Sequence, residues 1–268
     1  MKKRSHPLLG IHSYLMLAFI YMPILIIIIY SFNSARLSGN WEGFTLDWYT
    51  SLFQNRHVRE ALMNSLTIAI TSTVVSTMLG TAAALALRDL RGKKRSGMNG
   101  LLYLPVIIPD IIMGLSLLVM FSQLNMPLGK TTVMIAHITF SLSYVYVVVT
   151  ARLSGMGKQL EEAAQDLGAT PWQTFRHVTL PQIAPGIISG ALIAFTLSLD
   201  DFMVSFFVAG PSSTTLPIYI YAQVKRGISP EINALCTLLI LVSITLILLS
   251  QYILNRGNND KKHKTLPI

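Results

Sequence analysis

The chain of 268 residues is 52% hydrophobic and only 12% charged, with a mean hydropathy of +0.54. Soluble domains carry about 25% charged residues, so this composition excludes an ordinary soluble protein and predicts an integral membrane protein. The formal charge of +9 does not indicate nucleic-acid binding, because basic residues beside membrane spans are a topology signal. The single cysteine, Cys236, excludes an internal disulfide, and no paired-cysteine or HExxH spacing predicts a metal site.

Six apolar runs are long enough to cross a bilayer, which takes roughly 20 residues. They cover residues 11–32, 64–87, 100–122, 131–151, 186–208 and 233–254. The first run follows basic residues but lacks a small-x-small cleavage site, so we interpret it as an uncleaved span. The predicted fold class is therefore all-α, with one transmembrane domain of six helices over residues 1–268.

The orientation of these spans follows from the distribution of Lys and Arg. Of the 21 basic residues, fifteen lie in the two terminal segments and the loops 88–99 and 152–185, and six lie on the other side. The positive-inside rule places the richer side in the cytoplasm. Both termini and the loop 152–185 are predicted to be cytoplasmic, and the loops 33–63 and 209–232 extracytoplasmic.

The polar stretch 161–181 has the pattern of a helix–turn–helix between two apolar runs. Helical spacing of small and apolar residues predicts its first helix, through Leu160, Ala163, Ala164 and Leu167. Gly168 stands where a residue past the C-cap would lie, and Thr170-Pro171 reads as the N-cap and first residue of a second helix. Leu180-Pro181 predicts the end of that helix. A folded protrusion of this kind predicts a partner that binds it.

Three carboxylates fall inside the predicted spans, without a Lys or Arg inside any span to pair with them. Asp110 follows Pro105 and Pro109, which bend or break a helix, and Asp200 and Asp201 are adjacent in the fifth span, where a helix would separate them by about 100°. Each carboxylate costs at least about 2.5–3.5 kcal/mol in lipid. Two interpretations stay open: each is protonated or bonded to a partner, or the three line a water-filled path for cations.

Other polar residues of the spans give weaker signals. His137 is interpreted as a hydrogen-bonded residue between helices rather than a proton relay. Ser198 is nearly opposite Asp200 on a helix, where it would hydrogen-bond a neighbouring span. We retain Ser198 as a candidate residue of the path.

The residues of the polar stretch resemble a known motif. Glu162-Ala163-Ala164, Gly168, Val178 and Leu180-Pro181 are similar to the pattern EAA–x3–G–x9–I–x–LP of ABC importer permease subunits, with Val178 in place of Ile. The resemblance implies a type I ABC importer permease fold in a bacterial inner membrane. It also implies that a cytoplasmic ATP-binding subunit receives this loop, with coupling residues Glu162, Ala163, Ala164, Gly168, Leu180 and Pro181.

The same resemblance implies the other components of the transporter. They are a homologous second permease, two ATPase subunits and an extracytoplasmic binding protein. The chain itself would be a non-catalytic subunit that binds no cofactor, because the phosphate-binding GxxxxGK[ST] sequence is absent from it. Magnesium and ATP would be held by the partner ATPase.

Longer stretches resemble the polyamine importer branch of these permeases, and specifically its second permease subunit. They are FNSARLSGNWEGFTLDWY, LPVIIPDIIMGLSLL, SLDDFMVSFF and TLPIYIYAQVKRGISPEINALCT. Spermidine and putrescine carry separated ammonium groups, which suit spaced carboxylates and aromatic faces; cation–π contacts contribute about 0.5–2 kcal/mol each. The predicted path residues are Asp110, Asp200, Asp201, Trp48 and Ser198.

Rival hypotheses remain. The cargo would be another small solute, such as thiamine, iron or an anion, although unpaired carboxylates disfavour an anion. A second rival is a transporter coupled to protons or sodium. A third is an intramembrane aspartyl protease, but two adjacent acids on one helix do not form a shared-proton pair and the GxGD context is missing.

Overall fold

The structure, a computed structural model, describes residues 7–35 and 40–245, with side chains from His12 onward. It comprises two compact units, the first from residues 1–59 and 220–268 and the second from residues 60–219. The predicted all-α class is confirmed, because the regular structure of the described residues is helical apart from one isolated bridge between Asn33 and Phe44.

The helices are named in chain order. They are α1 (Pro7–Tyr30), α2 (Asp47–Gln54), α3 (Arg56–Arg88), α4 (Gly92–Ile107), α5 (Asp110–Gln123), α6 (Lys130–Ser154), α7 (Gln159–Asp166), α8 (Pro171–Thr174), α9 (Leu180–Asp200), α10 (Met203–Val208), α11 (Leu216–Val224) and α12 (Pro230–Thr245). A π-helical turn, Phe175–Thr179, joins α8 to α9.

Four stretches of the described residues are long and apolar enough to cross a membrane. They are His12–Tyr30, Arg56–Arg88, Lys130–Ser154 and Pro171–Asp200. The bent pair α4 and α5 makes a fifth if it counts as one span. The sixth predicted span, 233–254, begins in α12 and continues beyond the described residues. The structure therefore supports five of the six predicted spans if the bent pair of α4 and α5 is counted as one.

The third predicted span is broken at Pro109, as predicted, whereas Pro105 lies inside the continuous helix α4. The axes of α4 and α5 differ by 107°, and the break lies at Ile108 and Pro109. Ile108 is extended, with φ −69° and ψ 131°, because a residue before proline disfavours the helical region. Pro109 then leads directly into α5, whose first residue is Asp110.

The fifth predicted span differs from the expectation of one helix across 186–208. The helix α9 ends at Asp200, Asp201 is extended with φ −65° and ψ 122°, and α10 begins at Met203. The prediction that Asp200 and Asp201 are adjacent positions of one helix is therefore wrong. The two carboxylates lie on either side of a helix end, which gives them different surroundings.

Helix α6 forms the centre of the second unit. It contributes Phe140 to one buried apolar cluster and Tyr146 to another. Close approach of the neighbouring helices depends on glycine: a Cβ at Gly80 of α3 would lie 2.9 Å from Val145 Cβ, and one at Gly190 of α9 would lie 3.3 Å from Val145 Cα. Small residues let helices pack closely in a membrane, so α3 and α9 both contact α6 at Val145.

In the first unit, the segment after α1 folds around the buried Asn33. Its Nδ2 donates to Asn40 O at 2.7 Å, and its Oδ1 accepts from Glu42 N at 3.0 Å. The indole Nε1 of Trp48 donates to Asn33 O at 2.7 Å. Hydrogen bonds to Asn33 thus join residues 40, 42 and 48 of this segment to the end of α1.

Candidate functional site

The three predicted membrane carboxylates line one cavity of about 220 Å³ in the second unit. Asp110 comes from the start of α5, Asp200 from the end of α9, and Asp201 from the extended residue that follows. Each lies beside a break in a helix. Residues that are remote in the sequence thus meet because both broken helices interrupt their backbone at the same place.

The three carboxylates are not equivalent. Asp110 and Asp200 are exposed to the cavity or its surroundings, and neither has a hydrogen-bond or ion-pair partner among the described residues. The Asp201 side chain is only 9% exposed; its two oxygens accept from Val204 N at 3.2 Å and Ser205 N at 2.7 Å. Asp201 caps the first turn of α10, whereas Asp110 and Asp200 are available to a ligand.

A buried histidine supports Asp201 from behind. His137 of α6 is fully buried, and its Nε2 lies 3.3 Å from Asp201 Oδ2 and 2.9 Å from Ser205 Oγ. Its Nδ1 lies 2.7 Å from Ser198 Oγ, which is 3.0 Å from Ser72 Oγ of α3. The interpretation of His137 as a residue hydrogen-bonded between helices is confirmed. The network ties α3, α6, α9 and α10 together at the helix break.

The other predicted path residues occupy different places. Ser198 is 4% exposed and belongs to this buried network, so its expected bond to a neighbouring helix is confirmed. Trp48 lies in the first unit, where Asn33 accepts its indole N–H. The role of both residues in a path stays a prediction.

The cavity also has an aromatic and apolar lining that sequence reasoning did not assign to the path. Phe140, Tyr144 and Phe202 contribute aromatic rings, and Pro105, Leu197 and Met203 complete the wall. Tyr144 lies on α6, one helical turn after Phe140. Its helical spacing of four residues from Phe140 was the available signal. Paired carboxylates with aromatic faces suit an organic cation.

The helix dipoles at the two breaks act on the cavity with opposite sign. Asp200 ends α9, and the last turn of a helix carries a partial negative charge. A carboxylate at that position is unfavourable on its own, so a cation there relieves both charges. Asp110, by contrast, is at the start of α5, the end of a helix that carries partial positive charge.

The predicted coupling segment, residues 161–181, has the helix caps that its sequence predicted. The N–H of Gly168 donates to Gln165 O at 2.9 Å and that of Ala169 to Ala164 O at 3.0 Å, which is the Schellman pattern. Gly168 has φ +87°, a conformation that favours glycine. Thr170 caps α8 in a reciprocal pair with Gln173. These cap predictions are confirmed.

The predicted end of the second helix at Leu180-Pro181 is wrong. The chain is helical without interruption over Pro171–Asp200. The π-helical turn before Pro181 explains this, because Leu180 N donates five residues back to Phe175 O. A proline removes one backbone donor, and the wider turn absorbs that loss. The protrusion therefore continues directly into the membrane helix α9.

The outward face of the segment is apolar. Leu160 is 59% exposed, Leu167 is 90% exposed and Trp172 is 66% exposed. No residue of α7 is buried. An apolar face that this chain leaves uncovered is typical of a surface that binds another protein.

The inward side of α7 carries one carboxylate that sequence reasoning missed. Glu161 Oε1 accepts from Arg88 Nη1 at 2.7 Å and from Thr179 Oγ1 at 2.6 Å. Burial raises the pKa of Glu161, but the hydrogen bonds from Arg88 and Thr179 outweigh it and hold the pKa below its ordinary value. Glu161 is therefore ionised at neutral pH. Its only sequence signal was one more acid beside the EAA motif.

A second ion pair joins the same two regions at the surface. Lys158 Nζ lies 2.6 Å from Asp89 Oδ1. The hydrogen bond from Lys158 lowers the pKa of Asp89. Since both side chains are more than half exposed, water and salt screen this pair and its contribution is small.

Comparisons with known proteins agree with these features. A family model described as "Binding-protein-dependent transport system inner membrane component" matches residues 76–259. The spermidine/putrescine transport system permease protein PotC of Escherichia coli (strain K12) is 43% identical over 236 residues, which cover 88% of this chain and 89% of that protein. The putrescine transport system permease protein PotI of the same strain is 44% identical over 231 residues, covering 83% and 82%.

Solved structures show the same fold. A chain of a bacterial ABC transporter involved in the import of the acidic polysaccharide alginate matches with a TM-score of 0.73 at 20% identity, over 94% of each chain. A chain of the MetNI methionine ABC transporter matches with a TM-score of 0.61 at 18% identity, over 80% of this chain and 97% of that one. At these identities the likeness concerns the fold alone. The family match and the two permease relatives establish that this chain belongs to the family of inner-membrane components of binding-protein-dependent transport systems.

Proposed function

We propose that this chain is a permease subunit of an ATP-driven importer of polyamines, with spermidine and putrescine as cargo. The observation that carries the proposal is the cavity in which Asp110 and Asp200 are both unpartnered among the described residues and lie beside aromatic rings. An extended dication needs two separated acceptors and apolar contact for the methylenes between them. The names of the two permease relatives support the same cargo.

The cavity is smaller than the roughly 300–1,000 Å³ of most small-molecule sites. We infer that a homologous second permease supplies the facing wall, so that the path lies between the two subunits. Asp110 and Asp200 would each contact one ammonium group. Asp201 and Ser198 would shape the wall, and Trp48 would contribute from the extracytoplasmic loop.

The coupling segment would bind an ATPase subunit in the cytoplasm. Its exposed apolar face and its position at the start of α9 support this role, because a push on α7 and α8 acts on the helix that ends at Asp200. One ATPase would bind this chain and another the second permease. A soluble binding protein would deliver the polyamine from outside, and the subunit itself would be non-catalytic, with magnesium and ATP held by the ATPase.

Uptake of radiolabelled spermidine and putrescine tests the cargo. The whole transporter is expressed in bacteria that lack their own polyamine importers. A hydrogen bond to a charged group contributes about 1.5–3 kcal/mol, so we expect Asp110→Asn and Asp200→Asn each to lower initial uptake about tenfold or more. Co-purification of the ATPase should be unchanged. Normal uptake by both variants would sink the proposal.

Two controls separate cargo binding from folding and net charge. Asp47→Asn removes an acidic residue of α2, outside the cavity, and should transport normally. Asp201→Ala removes the side chain that caps α10 and should lower thermal stability by about 1 kcal/mol or more, which Asp200→Ala should not. Glu162→Lys should give the opposite pattern to Asp110→Asn, with the ATPase lost from the purified complex.

A related cargo is the main rival. Another small organic cation would meet the same two carboxylates, and competition of unlabelled cations against labelled spermidine distinguishes it. An anionic cargo would be repelled by Asp110 and Asp200, so competition by sulfate or thiosulfate should be absent.

A further inference from the structure

Helix α7 packs against the rest of the second unit with little apolar surface. None of its residues is buried, Leu160 of α7 and Leu167 directly after it are exposed, and Glu161 and Ala164 are the half-buried residues of the helix. The one half-buried apolar side chain is therefore the small Ala164. The side-chain hydrogen bonds of α7 to neighbouring elements come from Glu161, in its first turn.

One oxygen atom joins three elements at that turn. Glu161 Oε1 accepts from Arg88, the last residue of α3, and from Thr179, which immediately precedes α9. The Arg88 and Glu161 side chains are 15% and 17% exposed, and Thr179 is 5% exposed. A largely buried pair is screened little by water, and removal of one partner leaves the other charge uncompensated.

The neighbouring pair, Lys158 with Asp89, serves as an internal comparison. It links the same two regions at a similar distance, but its side chains are 56% and 70% exposed. Long exposed side chains exchange partners with water at little cost. Of the two ion pairs, only the one between Arg88 and Glu161 is buried enough to hold α7 in one position relative to α3.

Helix α3 connects this joint with the cavity. Ser72 lies on α3 about 24 Å from Arg88, at 1.5 Å per residue. Its hydroxyl is hydrogen-bonded to Ser198, which contacts the His137 that supports Asp201. Helix α3 is thus hydrogen-bonded through Arg88 to the coupling segment and through Ser72 to the network that supports Asp201.

We propose that Arg88 and Glu161 are positioning residues that make α7 move as one body with α3 and α9 when the ATPases close. The proposal rests on the proposed function for the existence of an ATPase partner, but not on the cargo. Glu161 lies beside the EAA motif, on the side of α7 that faces the membrane helices. The ATPase binds the exposed face, and Glu161 passes the displacement inward.

The ratio of polyamine uptake to ATP hydrolysis tests this role. The complete complex, with second permease, ATPases and binding protein, is reconstituted in proteoliposomes. Coupling free energies between sites amount to a factor of about 5–150. We expect Glu161→Gln and Arg88→Lys to retain the ATPase and its hydrolysis while the uptake per ATP falls about tenfold. The exposed-pair control Asp89→Asn should stay within about twofold of the wild type.

A charge exchange guards against simple misfolding. The double variant Arg88→Glu with Glu161→Arg restores an ion pair and should recover most of the ratio that each single change loses. Loss of the ATPase from Glu161→Gln would assign Glu161 to docking and overturn the proposal. An unchanged ratio in Glu161→Gln would overturn it as well.

A readout without cargo separates this proposal from the polyamine assignment. Spin labels on Ala86→Cys of α3 and Gln165→Cys of α7, with Cys236→Ser, report the distance between the two helices. In the otherwise wild-type complex this distance should stay constant when vanadate traps the ATPases closed. With Glu161→Gln it should change or broaden. A distance that changes equally in both overturns the rigid link, whereas absent polyamine uptake with a constant distance counts against the cargo alone.

Discussion

At the scale of residues, charge alone does not identify a ligand-binding carboxylate. Asp200 and Asp201 are neighbours in the sequence, yet Asp201 is occupied by the α10 backbone and His137, and Asp200 is not. The difference arises because α9 ends between them. Burial has the same effect on the adjacent residues of α7, since Glu161 is hydrogen-bonded to Arg88 and Thr179 whereas Glu162 is exposed.

The ion pair of Glu161 predicts a dependence of stability on pH. A carboxyl group whose pKa is lowered in the folded state stabilises that state above its unfolded pKa, and the contribution is lost as the pH falls through the folded value. The ordinary value for Glu161 is 4.5, and its folded pKa lies below that. We expect the difference in thermal stability between wild type and Glu161→Gln to be constant from about pH 7 to pH 5 and to shrink below about pH 4.5. Thermal unfolding in detergent across this range measures it, and a difference that already shrinks between pH 7 and pH 5 would show that Glu161 is not ionised as described.

At the scale of elements, breaks and close approaches matter more than helix lengths. Two breaks bring the carboxylates to one cavity. One separates α4 from α5, and the other follows α9. Backbone interruption in a membrane is tolerated where it lines a cavity or is buried in protein. The helix Pro171–Asp200 is, by contrast, continuous, because a π-helical turn precedes Pro181 and the helix does not break there.

Two glycines in helices provide a test of the close approach to α6. A Cβ at Gly80 would lie 2.9 Å from Leu142 O and Val145 Cβ, whereas one at Gly97 of α4 would meet nothing within 4 Å. Overpacking costs about 1–3 kcal/mol, so Gly80→Ala should lower the thermal stability of the purified complex. Gly97→Ala, the matched control, should leave it unchanged or raise it by up to about 1 kcal/mol, because alanine favours a helix. Equal stability of the two variants would show that α3 and α6 do not pack as closely as described.

At the scale of the whole molecule, the second unit carries both the cavity and the coupling segment. One helix, Pro171–Asp200, begins in the segment and ends at the cavity. A displacement of the start of this helix would therefore act directly on Asp200. The fold is shared with chains of other ABC transporters, and our proposal assigns the choice of cargo to the carboxylates.

The source of energy is a property of the whole transporter, and the importer that we propose is driven by ATP. We expect uptake to continue when the proton gradient is collapsed and ATP is maintained, because hydrolysis on the partner subunit drives the cycle. Cells that express the transporter are treated with an uncoupler while their ATP is held constant and measured. Loss of uptake under these conditions would favour the ion-coupled alternative, and loss on depletion of ATP with an intact gradient supports the importer.

The sequence by itself determined the class of protein, the positions of most spans and the caps around Gly168 and Thr170, and it predicts the orientation of the basic loops. These features are local, since hydropathy, spacing and turn chemistry act between residues close in the chain. The family resemblance was equally local, because the EAA motif is one continuous stretch.

Only the tertiary structure decided which carboxylates are available and what holds the coupling helix. The bond from Ser72 to Ser198 spans 126 residues of sequence, and that from Arg88 to Glu161 spans 73. In the sequence, Arg88 counted only as one of the basic residues that predict orientation. Glu161 was only the residue before the EAA motif. Their burial against each other depends on how α3, α7 and α9 pack, and no spacing within a single helix encodes it.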